Sequence, residues 1–119
     1  MGYIKHHAII VTGSNDDQIK EAHAKAKEIF KDAFKDDGVL IPGDQLVSEI
    51  VRGVANTYDS FFIAPDGSKG GWSTSDCGDN ARKAFIEWMR GQRRNYCDFV
   101  ELCFGGDDDN EHILVSRWI

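Results

Sequence analysis

The spacing of apolar positions switches between a period of two and a period near 3.6 along the chain, and the switches mark its elements. Tyr3–Thr12 is rich in β-branched and aromatic residues, and Ala8-Ile9-Ile10-Val11 is apolar on both faces, so this stretch reads as a strand that becomes central towards its end. Ser14 followed by Asp17 has the form of a capping box. Beyond it Ile19, Ala22, His23, Ala26, Ile29, Phe30, Ala33 and Phe34 recur at helical spacing, with Lys20, Glu21, Lys27, Glu28 and Lys31 on the opposite face. His23 lies on the apolar stripe and reads as a hydrogen-bonded core histidine. Gly38 and the Pro42-Gly43 turn end this first helix. Val47–Arg52 alternates as an edge strand does, and Tyr58–Ala64 reads as its antiparallel hairpin partner. Phe61 and Phe62 point to opposite faces, so both sides of that strand must meet something apolar: the core on one side, a partner subunit on the other.

The connection PDGSKGGWSTSD combines a Pro65-Asp66-Gly67 turn, the Gly70-Gly71 pair, Lys69 and the large ring of Trp72. A second helix follows from about Asp79 to Arg90, with Ala81, Ala84, Phe85, Trp88 and Met89 as its stripe and Gly91 as its stop. Tyr96–Phe104 is a β-prone strand, GGDDDN a turn, and Glu111–Ile119 its hairpin partner. The expected order is β-α-β-β-α-β-β, an α+β fold with a five-stranded, mostly antiparallel sheet and two helices, forming a single ligand-binding domain over residues 1–119.

Composition narrows the function. Hydrophobic residues make up 41% and charged residues 29% of the 119, an ordinary globular balance. No apolar run approaches the roughly 20 residues of a membrane span, and the N-terminus lacks a signal-peptide core, so a cytoplasmic protein is expected. The three cysteines, Cys77, Cys97 and Cys103, are expected to stay reduced. A net charge of −6 disfavours binding to long nucleic acids or acidic lipid. A small anion needs only a local basic pocket, and Arg82, Lys83, Arg90, Arg93 and Arg94 fall within thirteen residues. Adjacent His6 and His7 point to opposite faces and cannot share a metal, and the aspartates of the last turn lack calcium-loop spacing. No hydrolase, zinc or Walker motif is present, and no nucleophile stands next to a base. The expectation is therefore binding without turnover, with no cofactor and no metal. The candidate site takes Phe85 or Trp72 as a stacking plate, Arg90, Arg94, Lys69 or Arg117 against phosphate, and Asn95 for base or ribose edges. For Phe85 the competing role is the core, and for the arginines it is compensation of the helix dipole.

The order of elements and the stretches KHHAIIVTG, AHAKAKEIF, VSEIV, FFIAPDGSKGGW and ARKAFIEW resemble the phage-encoded Thoeris anti-defence protein 1 family over essentially the whole chain. The resemblance implies a sponge in the host cytoplasm that captures glycocyclic ADP-ribose, the signal made by a bacterial TIR-domain protein, and holds it without cleaving it. It also implies cyclic di- or trinucleotides as further ligands and a homo-oligomer, a dimer or a trimer of dimers, with sites between subunits. In that family an aromatic residue and an asparagine ten positions later contact the signal. Phe85 and Asn95 stand in that relation here, and Arg117 is carried over with them; Asn80 and Phe99 are the competing counterparts. The alternative function is a phage adaptor that binds and inhibits a host protein through Trp72 and Trp118.

Overall fold

The computed structural model describes residues 4–106 and 112–116, with the side chain of residue 112 excepted. Its organising strand is β1 (His6–Gly13), which is hydrogen-bonded on both edges. On one side it pairs with β2 (Asp59–Ile63), on the other with β3 (Asp98–Phe104), and β3 carries β4 (His112–Ser116) outermost. Every pairing is antiparallel. Two helices, α1 (Asp16–Phe34) and α2 (Ser73–Arg90), complete the fold.

Strand alternation sorts the sheet into two unlike faces. Ile9 and Val11 of β1, Phe61 and Ile63 of β2, and Phe99 of β3 point inward, where they meet Ile19, Ala22, Ala26 and Phe30 of α1 and Ala81, Phe85 and Met89 of α2. Each large side chain buried here is worth about 1.5–3 kcal/mol relative to exposure. The outer face is also apolar: Ile10 stands opposite Phe62 on one side and Val100 on the other, Ala8 opposite Leu102, and Leu102 opposite Ile113. Ile10, Phe62, Phe104 and Ile113 are all more than a third exposed there. A shallow apolar hollow of about 440 Å³ lies between Ile10, Phe62, Pro65, Leu102 and Phe104.

The fifth strand expected at Val47–Arg52 does not form a ladder. Only two isolated bridges join this segment to β2, Val47 to Ile63 and Val51 to Ser60, and they are one residue out of step. The reason is Ser48. Its carbonyl turns away to meet His23 Nε2 at 2.8 Å, and its Oγ accepts the Phe62 amide at 2.9 Å in the carbonyl's place. His23 is thus the hydrogen-bonded histidine its position suggested, and it breaks the strand in becoming so. Among the described residues the order is β-α-β-α-β-β with a 3₁₀ turn (Gly43–Leu46) after α1, not β-α-β-β-α-β-β.

The helix starts also differ from expectation. The cap of α1 is Asn15, whose Oδ1 accepts the Gln18 amide at 3.1 Å, and not Ser14 one residue earlier. Helix α2 begins at Ser73, six residues before Asp79. Ser, Thr and Gly there suggest a loop, but Asp37 at the end of α1 ties them down. Thr74 Oγ1 donates to Asp37 Oδ2 at 2.6 Å, and this bond, reinforced by Ser73, holds the Asp37 carboxyl below its ordinary pKa. The cysteines are free, as expected. No helix among the described residues is long and apolar enough to cross a membrane.

Candidate functional site

Helix α2 stops where Gly91 donates its amide to the carbonyls of Glu87 and Trp88 at 3.1 and 3.2 Å, and Gln92 Nε2 caps the Trp88 carbonyl at 2.9 Å. The chain then closes a turn, with the Tyr96 amide donating to Arg93 O at 3.1 Å. This places Arg94 and Asn95 at an exposed tip. The tip is anchored by Tyr96, which is buried, packs edge-on against Trp88 at 5.9 Å, and donates its hydroxyl to Glu21 Oε1 at 2.5 Å. Burial, helped by that hydrogen bond, pushes the Tyr96 phenol well above its ordinary pKa, so it remains a neutral donor.

Two hollows flank this turn. The smaller, about 210 Å³, has Arg90, Arg93 and Arg94 around an apolar floor of Met89, Tyr96 and Phe99. The larger, about 550 Å³, is a cleft lined by Thr12, Gly13 and Ser14 from the end of β1, by Tyr58, and by Arg94, Asn95, Tyr96 and Asp98. Arg94 and Tyr96 line both. The cleft's volume is that of a small-ligand site. Its chemistry suits a phosphorylated nucleoside: a planar guanidinium for phosphate, an amide that both donates and accepts, hydroxyls and a carboxylate for ribose, and a half-exposed tyrosine ring. Of the residues expected from the sequence, Arg94 and Asn95 line the cleft together, and Arg90 lines the hollow beside it.

The other expected residues are elsewhere. Phe85 is fully buried, stacked near-parallel to Trp88 at 6.3 Å and edge-on to Phe61 at 6.5 Å, so neither of its faces is open to a ligand in this chain. Lys69 and Trp72 sit before the start of α2, with the Lys69 ammonium 6.0 Å from the Trp72 ring centroid. Eighteen helical residues, about 27 Å, separate them from Arg94 and Asn95, so one chain cannot bring the two groups to one small ligand. Arg117 and Trp118 lie outside the described residues.

The basic cluster also divides. Arg82 is buried and spent on the protein's own carboxylates: Asp66 Oδ2 at 3.2 Å, Asp79 Oδ1 at 2.7 Å and Glu101 Oε2 at 3.6 Å. His7 Nδ1 stands 3.6 Å from the same Glu101 oxygen. Asp66 in turn accepts the Ser68 amide at 2.8 Å and the Ser68 hydroxyl at 2.5 Å, which folds the start of the glycine-rich connection inward. Gly78 allows this approach, because a Cβ there would strike the Asp66 carboxylate. Tyr58 and Tyr96 were missed among the candidates. Tyr96 carried no motif, and Tyr58 was absorbed into a strand.

The class these features define is a two-layer α+β domain, helices on one face of a four-stranded antiparallel sheet, with a polar cleft at the sheet's end and an arginine-lined hollow beside it. Set beside models of protein families, curated proteins and solved structures, the chain matches none of them.

Proposed function

We propose that this protein is a phage anti-defence sponge that binds glycocyclic ADP-ribose in the host cytoplasm and sequesters it without cleavage, blocking Thoeris immunity. The observation that carries the reading is the cleft of about 550 Å³ in which Arg94, Asn95 and Tyr58 converge, adjoined by the hollow of Arg90 and Arg93. A cyclic ADP-ribose carries a pyrophosphate, two riboses and an adenine. The arginine hollow is suited to the first, the hydroxyl-rich and amide-bearing wall to the second, and an exposed ring to the third. Cyclic di- and trinucleotides present phosphodiesters in place of the pyrophosphate, with riboses and bases, and are the further ligand class.

Sequestration demands slow release, and release slows when a ligand is enclosed. The cleft lies at the polar end of the open sheet face, where Thr12 is paired with Ser60 and Asp98. A second copy laid on the apolar face beyond it would cover Ile10, Phe62 and Phe104 and close over the cleft. A dimer, or a trimer of dimers, is therefore part of the proposal.

The test is to incubate the purified protein with glycocyclic ADP-ribose, remove unbound nucleotide, denature by heat and analyse what is released, with the solution mass measured alongside. Intact nucleotide is the expected result; a cleaved product would mean an enzyme. Retention of nothing would favour the second reading, a phage adaptor that holds a host protein, for which the exposed Trp72 ring and the uncovered sheet face speak.

A further inference from the structure

We infer that Tyr58 is the residue that selects for an aromatic base in the cleft, and that the turn before β2 is built to present its ring. The inference rests on the reading of the cleft as a nucleotide site and assigns specificity within it.

The backbone around Tyr58 is pinned from several directions. Asn56 and Thr57 both adopt left-handed conformations, with φ of 57° and 55°. Asparagine tolerates this region, whereas a β-branched threonine is an outlier there and persists only where its surroundings impose it. The Thr57 hydroxyl lies 2.6 Å from the Asn56 carbonyl oxygen and 3.4 Å from that of Ser14, a residue of the cleft wall. Behind the turn, the Gly53 amide donates to Asp59 Oδ1 at 3.2 Å, and Asp59 is only 3% exposed. A Cβ at Gly53 would run into the Tyr58 carbonyl, so the two limbs of the turn are in direct backbone contact. Arg52 fastens the same limb outward, 3.7 Å from Asp59 and 3.5 Å from Asp16.

Against this fixed backbone the Tyr58 side chain is left out: the residue is 49% exposed, at the rim of the cleft that holds Arg94 and Asn95. The cleft's other ring, Tyr96, is buried and bound to Glu21, so among the lining residues Tyr58 has the exposed aromatic surface. A flat ring on a pre-set backbone, with two side-chain torsions to fix, loses little freedom when a base lies against it. The ligand class follows: a phosphorylated nucleoside whose base stacks on Tyr58 while Arg94 meets its phosphate. Phosphates without a base would gain nothing from the ring.

The test titrates glycocyclic ADP-ribose into the wild type and into Tyr58→Phe, Tyr58→Trp and Tyr58→Leu. Each variant's thermal unfolding midpoint is recorded to confirm the fold. Phe and Trp should keep the wild-type affinity within about threefold, and Leu should weaken it about ten- to a hundredfold, the size of one base–ring stack. Equal binding by Leu and the wild type would overturn the inference and leave the sponge standing. Equal losses in Phe and Leu would overturn it as well, by assigning the effect to the hydroxyl. A wild type that takes up no nucleotide would overturn the sponge itself, and the inference with it.

Discussion

In the middle of α2 the Arg82 guanidinium meets Asp66, Asp79 and Glu101 within 3.6 Å, whereas just past its C-terminal end Arg93 and Arg94 join Arg90 around a hollow none of whose lining residues is acidic. The residue type is the same and its setting is opposite. Arg82 is enclosed and answers charges of its own chain, so its work is holding the connection after β2 against the helix. The trio at the far end is exposed, and Arg94 also lines the cleft. A tally of Lys and Arg along a sequence does not separate a guanidinium enclosed by its own chain's carboxylates from one at the surface.

Substitutions can break this comparison, beginning with the largest effects. Phe85→Ala should cost about 3–5 kcal/mol of stability in chemical denaturation, since it empties a site packed on Phe61 and Trp88. Near-wild-type stability with lost binding would instead restore Phe85 to a ligand-facing role. Arg82→Met should cost a similar amount, about 3–5 kcal/mol, because it strands the buried carboxylates of Asp66 and Glu101. The protein that remains folded should bind as before. Arg94→Ala reverses that pattern: stability should change by less than about 0.5 kcal/mol. Affinity for glycocyclic ADP-ribose should fall about tenfold or more with loss of a charge-assisted hydrogen bond.

Tyr96→Phe sharpens the comparison through pH, at about 1 kcal/mol near neutrality. Burial and the bond to Glu21 raise the Tyr96 phenol above its ordinary pKa of about 10. Below that value both folded and unfolded chains hold the proton; above it the unfolded chain loses it first, so stability falls as pH rises. Denaturation midpoints measured from pH 8 to 11 should show that alkaline fall in the wild type and a flatter profile in the variant. Smallest of all, Lys69→Ala should leave nucleotide capture unchanged and stability within about 0.5 kcal/mol. A clear loss of capture would join the two ends of α2 into one site, which requires a second subunit.

Periodicity was enough to place both helices, the buried stripe around Phe30 and Phe85, and four of the strands, because these depend on spacing and burial alone. It failed at Ser48, where alternation was correct but a carbonyl turned to His23, a residue 25 positions away. It failed at Ser73, where the helix start depends on Asp37. Within the candidate site, Arg94 and Asn95 were legible as a charged turn after a helix stop. Phe85 was not assignable, since an aromatic on an apolar stripe has the same spacing in a core and in a pocket. Tyr58 was hidden because left-handed geometry at Thr57 leaves no mark in composition.

The broken pairing along β2 bears on the closed assembly proposed for this chain. A regular outer strand offers a row of unpaired amides and carbonyls on which further strands accrete without limit. Here that flank is irregular, its Ser48 carbonyl already engaged and its bridges out of step. Side-by-side growth into fibrils is disfavoured on that border, so the greasy sheet surface can remain bare, as the proposed assembly requires.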